Sequence, residues 1–178
     1  MNATDPTFPG PTPRGRSGPI SAVLPLPVQG AIELDMPVER LWEIFADVRR
    51  WPQWNPCFWW SRVVGGELRY GATLLWYFNA IKPQYRYKMP AAARIVELER
   101  HDRVTWEVSM PGFHALHSYR FQALEPDRCR FGSWEVAEGR AYRATHRFWL
   151  AHFRYVCESS LLGVERLSAD RASAPPGP

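Results

Sequence analysis

His117 and Tyr119 are the side chains whose type and spacing best suit proton chemistry. They lie in the segment FHALHSYRFQA, residues 113–123. A period of two there puts Phe113, Ala115, His117, Tyr119, Phe121 and Ala123 on one face of a strand, with His114, Ser118, Arg120 and Gln122 on the other. An imidazole on an apolar face must be hydrogen-bonded internally or offered to a ligand, and beside a phenol it suits general acid–base work. His146 stands one turn before Trp149 in a helical stretch and is expected near the same space. Glu135, in SWEVAEG, faces inward if Cys129, Phe131 and Ser133 do, and outward if Trp134 and Val136 set the parity. Arg94 is open in the same way, and for both residues a surface position is the simpler reading.

Other chemistries lack their residues. The sequence has no GxSxG elbow, no GxxxxGK[ST] phosphate loop and no HExxH pair. His146 and His152 are six apart, on different faces of a helix, so they do not form the four-residue pair that reaches one metal. No metal and no cofactor are expected. Cys57, Cys129 and Cys157 are odd in number and widely spaced, which points to reduced thiols in a cytoplasmic protein. The formal charge of +4 is spread among acidic residues rather than gathered into a stripe, which argues against nucleic acid as a partner. No apolar run approaches the roughly 18 residues of a membrane span, and no signal-peptide pattern opens the chain.

These side chains need a scaffold, and 178 residues, 46% of them apolar, suffice for one globular domain. Residues 1–28 are dense in proline and glycine and are expected to form a tail, as is the segment 171–178; the domain is expected over 29–170. It opens with a strand over 31–35 and a helix over 37–47, started by Pro37 and carrying Val38, Leu41, Trp42 and Phe45 at helical spacing. A second helical turn reaches Trp54. The stretch WPQWNPCFWW, residues 51–60, concentrates four tryptophans around two prolines. Proline removes amide donors and restricts its neighbour, so this stretch is a corner rather than an element.

Strands are then expected over 58–64, 73–79, 85–98, 103–109, 113–124 and 129–137, separated by Gly65-Gly66, Lys82-Pro83, His101-Asp102, Pro111-Gly112 and Pro126-Asp127. In the fourth of these, Val104, Trp106 and Val108 alternate with Arg103, Thr105 and Glu107, so one face of the sheet is buried. A last helix over 141–169 carries Tyr142, Thr145, Trp149, Phe153, Val156, Ser160, Val164 and Leu167 on one stripe. At 1.5 Å per residue it is roughly 40 Å long, enough to cross the sheet. The predicted class is α+β: a seven-stranded curved antiparallel sheet around a long C-terminal helix, with two short helices after the first strand.

The segment IELDMPVERLWEIFADVRRWPQWNP, followed by GGELRYGATL, VELERHDRVTW and CRFGSWEVAEG, resembles the START-like helix-grip superfamily, and within it the polyketide cyclase/dehydrase-like proteins grouped as SRPBCC. The resemblance covers residues 30–169. It implies an elongated apolar cavity between sheet and last helix, for which Trp60, Trp76, Phe78, Trp106, Phe113, Tyr119, Phe121 and Trp149 are candidate walls, with Glu135 and His146 as polar contacts. The function it implies first is binding of a polyketide, lipid or isoprenoid-like molecule. The alternatives are an aromatase/cyclase or dehydratase using His117 and Tyr119, and a chaperone-associated or regulatory interaction domain. Relatives sometimes dimerise through the sheet edge. Fold alone does not choose among these.

Overall fold

The computed structural model describes residues 27–80 and 88–172. Most of the expected N-terminal tail, the expected strand start at 85–87 and positions 173–178 lie outside the described residues.

The chain runs β1 (Val28–Leu34), α1 (Val38–Ala46), a 3-10 turn (Val48–Arg50), α2 (Trp51–Trp54), then β2 (Phe58–Val63), β3 (Thr73–Asn79), β4 (Lys88–Glu99), β5 (Arg103–Met110), β6 (Phe113–Glu125) and β7 (Arg128–Glu138), and ends in α3 (Arg140–Ala172). The strands form one antiparallel sheet of order β1-β7-β6-β5-β4-β3-β2. Register shifts at Phe58/Trp60, Ile95/Glu97 and Ala123/Glu125 mark bulges, and bulges bend a sheet and increase its twist. The curled sheet is closed by α3, which packs on β1, β7 and β6 and reaches Phe78 of β3 through His152.

The long helix is broken once. Thr145 has φ −121° and ψ 19°, and its hydroxyl donates to the Ala141 carbonyl at 2.7 Å, a side-chain bond that competes with the helical ladder and bends it. Around this kink, Arg140, Arg143 and Arg147 are exposed, as is Thr145 itself, which the stripe had placed inward. Beyond it the expected stripe holds: Phe153, Val156, Ser160 and Val164 are buried.

The tryptophan corner is explained by what it is tied to. Asn55 is fully buried, accepts the Cys57 amide on its carbonyl oxygen at 2.9 Å and donates from Nδ2 to Ser160 Oγ of α3 at 2.9 Å. Trp51 Nε1 donates to the Phe45 carbonyl at 2.7 Å, and its ring packs on Phe45, Phe58 and Trp106. Close approach of α3 to the corner requires Gly163, where a Cβ would stand 2.1 Å from the Trp54 carbonyl oxygen. Trp51 and Trp54 therefore belong to the core, together with Phe45, Tyr119, Phe121 and Phe131.

Candidate functional site

Registry across three strands builds the polar part of the interior. Trp106 of β5 is paired with His117 of β6, and His117 with Glu135 of β7. The period of two turns all three toward α3, so an indole, an imidazole and a carboxyl stand side by side on the concave face. From the helix, His152 and Val156 face them; from the other end of the sheet come Phe58 and Trp76. Cys57, Val108 and Ala115 complete the lining of a cavity of about 30 Å³. That is about the volume one water molecule takes up in the liquid. The elongated hollow expected from the sequence is thus largely filled by the protein's own aromatic side chains.

Burial disfavours the charged forms of the titratable groups around this cavity. Burial lowers the His117 pKa to about 3, with the nearby His152 adding to the effect. Burial likewise lowers that of His152 to about 4, partly opposed by its hydrogen bond to Ala80. Glu135 is 9% exposed, and burial raises its pKa well above the ordinary carboxylate value. His117 Nδ1 lies 3.4 Å from Glu135 Oε2, a separation at which an ion pair is conceivable. Desolvation of both groups, with no further charge to stabilise either, favours the neutral imidazole beside the protonated acid. His117 Nε2 is 3.0 Å from Ser133 Oγ. His152 Nδ1 donates to the Ala80 carbonyl at the end of β3, which fixes its tautomer and leaves Nε2 without a proton. Glu135 Oε2 is buried and makes no hydrogen bond.

The expected site residues divide into three groups. Trp76, Trp106, His117 and Glu135 line the cavity together; Glu135 points inward, against the simpler surface reading. Phe78, Phe113 and Trp149 lie beside it: Phe78 packs at a tilt on His152 with ring centroids 4.5 Å apart, and Phe113 likewise on Trp149 at 4.6 Å. Phe121 is packed between Trp42 and Phe45, away from the cavity. Tyr119 has a buried ring and a committed hydroxyl, 2.7 Å from Ser160 Oγ, which itself donates to the Val156 carbonyl. Its tethered hydroxyl serves the join between sheet and helix.

Two placements are corrections. Trp60 is 38% exposed and packs at a tilt against Tyr77 on the convex face; the bulge after Phe58 turns both Trp59 and Trp60 outward and brings Ser61 in. His146 is exposed, its Nδ1 3.2 Å from the Arg143 carbonyl, because the kink at Thr145 lifts that turn off the sheet. Arg94 is exposed on the outer face of β4. The histidine that does face the cavity is His152. Its spacing from Trp149 and Val156, three and four residues, was the available signal.

Among the described residues, no group of three or more His, Cys, Asp or Glu side chains is placed to hold a metal ion. Cys57, Cys129 and Cys157 are free and buried. No described helix is long and apolar enough to cross a membrane.

A seven-stranded curved sheet gripping a long C-terminal helix, with short helices after the first strand, defines a helix-grip fold. The family model described as polyketide cyclase / dehydrase and lipid transport matches residues 26–153, and the chain belongs to that family. Among solved structures, the chain is similar to the Zhui aromatase/cyclase from Streptomyces sp. R1128, at 14% identity and a TM-score of 0.69, covering 86% of this chain and 99% of that one. It is also similar to a START superfamily protein from Mycobacterium smegmatis, at 16% identity and a TM-score of 0.58, covering 79% and 98%. A third is a norcoclaurine synthase point mutant from Thalictrum, at 11% identity and a TM-score of 0.56, covering 83% and 96%. At such identities the likeness is one of fold. Comparison with curated protein sequences finds no match.

Proposed function

We propose that this protein binds a hydrophobic or aromatic small molecule, of polyketide, lipid or isoprenoid-like character, between the sheet and α3. The observation that carries the reading is the Glu135 carboxyl, buried without a hydrogen bond and facing a space walled by Trp76, Trp106 and Phe58. Interiors rarely leave a polar group unsatisfied, and an unsatisfied group among aromatic walls is a suitable anchor for a ligand. The cavity of about 30 Å³ is far below the several hundred Å³ of a typical ligand pocket. Admission of a ligand therefore requires displaced walls, of which α3 supplies His152 and Val156. Family membership supports the same reading, and the free, buried thiols accord with a cytoplasmic location. Titration with polyketide, isoprenoid and lipid compounds should quench tryptophan emission saturably, since Trp76 and Trp106 are lining residues. Linear, non-saturating quenching by every compound would refute it.

A second reading, aromatase/cyclase or dehydratase, is favoured by one feature: an imidazole and a carboxyl whose charged forms burial disfavours stand 3.4 Å apart. That is an acid and a base in one pocket. His117 would take a proton and Glu135 give one, while Tyr119 is tied to Ser160. With a reconstituted polyketide synthase, His117→Ala should change the product spectrum; an unchanged spectrum would remove this reading. For an interaction domain the relevant feature is the outward cluster of Trp59, Trp60 and Tyr77. Sedimentation of Trp59→Ser/Trp60→Ser against the wild type would show whether it mediates self-association.

A further inference from the structure

We propose, resting on the ligand-binding reading above, that the pocket selects an uncharged ligand carrying a hydroxyl group of phenol or enol type, and that Glu135 reads that group by donating a hydrogen bond to its oxygen. Three features of the cavity point there.

The first is charge. Among the described residues, no lysine or arginine lines the cavity. The groups able to become cationic are His117 and His152, and burial keeps both neutral. A carboxylate or phosphate would enter beside a carboxyl with nothing to balance it, in a setting where an unpaired charge is strongly disfavoured.

The second is the pattern of donors and acceptors. Burial disfavours the Glu135 anion and so favours its protonated form, and among the described residues its Oε2 has no hydrogen-bond partner. It therefore offers a donor. His152 has used its Nδ1 proton on the Ala80 carbonyl, so its other ring nitrogen is an acceptor. On an uncharged organic ligand, a hydroxyl is the simple group that both accepts from the first and donates to the second. A carbonyl oxygen satisfies Glu135 alone, and a hydrocarbon satisfies neither.

The third is the wall. Phe58, Trp76 and Trp106 present flat apolar rings around these polar atoms, which suits an aromatic or conjugated ring bearing the hydroxyl.

A matched series separates this proposal from the reading beneath it: naphthalene, 2-naphthol and 2-naphthoate share a ring system and differ in the group presented. Isothermal calorimetry at pH 7 on the full chain should show 2-naphthol binding about tenfold more tightly than naphthalene, the worth of a good neutral hydrogen bond. The carboxylate should bind more weakly than either. Glu135→Gln keeps a donor in place and should hold 2-naphthol within a few-fold of the wild type. Glu135→Leu should lose about tenfold in the preference for 2-naphthol over naphthalene. Circular dichroism of both variants establishes that they fold. Equal affinity for all three compounds, tighter binding of 2-naphthoate, or a Glu135→Leu protein that keeps its preference for 2-naphthol overturns the proposal and leaves the ligand-binding reading standing. Failure of the wild type to bind any of the three overturns both.

Discussion

The two ends of the concave face are built from the same residue types and solve opposite problems. Under α1 and α2, Phe45, Trp51, Tyr119, Phe121 and Phe131 interlock, and their polar atoms are all used: the Trp51 indole on the Phe45 carbonyl, the Tyr119 hydroxyl on Ser160. At the other end, Trp76, Trp106, His117, Glu135 and His152 surround a small cavity, and a carboxyl oxygen remains without a partner. Aromatic content alone does not distinguish a core from a pocket. What does is where an unpaired group stands: Trp54 Nε1 is unpaired within packed side chains, whereas the unpaired oxygen of Glu135 belongs to a residue lining a cavity.

The comparison breaks most visibly at the packed end. Trp51→Ala removes a fully buried indole with three ring neighbours and should cost about 3–5 kcal/mol of unfolding free energy in denaturant titration. Next comes Gly163→Ala, whose methyl would collide with the Trp54 backbone. Forcing α3 off the corner should cost about 1–3 kcal/mol, read as a lowered Tm.

At the cavity end the expected effect is a change in pH dependence. The native Glu135 pKa lies above its unfolded value, so the native state holds the extra proton and stability falls as pH rises above about 4.5. His117 and His152 have native values of about 3 and 4 against 6.5 unfolded, so below pH 6.5 the unfolded state binds more protons and stability falls toward acid. The combined contribution of these three groups should peak near pH 6.5. Glu135→Gln should flatten the alkaline limb, whose slope for one proton is at most about 1.4 kcal/mol per pH unit. Chemical denaturation at a series of pH values checks it, and an unchanged limb would mean that Glu135 ionises freely.

The smallest effects belong to the residues the structure turns outward. Trp60→Ala and His146→Ala should each change stability by no more than about 0.5 kcal/mol and leave ligand titrations unaltered.

Much of the fold was legible because its signals were local. Alternation in 113–123 set the parity of β6, and with it the inward positions of His117 and Tyr119. The three- and four-residue steps after Trp149 set the buried face of α3. The proline-bounded corner was legible as a corner, though its bond to Ser160 spans 105 residues and leaves no local trace. The site was less legible, for specific reasons. A bulge after Phe58 reverses the facing of Trp60, and nothing in a run that is apolar on both faces announces a bulge. Trp134 and Val136 are half-buried on the outer face of β7, which blurred the inward parity of Glu135. The kink at Thr145 depends on a hydroxyl bonding back to Ala141, and it carried His146 away from the space its spacing implied. How completely the side chains fill the interior is a property of three-dimensional packing, which no periodicity records.

Indole 1H–15N NMR reports on both ends at once, since Trp51 stands in the packed core and Trp76 and Trp106 line the cavity. On titration with 2-naphthol, the indole resonances of Trp76 and Trp106 should shift saturably and by clearly more than that of Trp51, which meets the cavity only through Phe58 and Trp106. Shifts confined to Trp59 and Trp60, or equal shifts at Trp51 and Trp106, would contradict the division of the interior into a closed core and a ligand site.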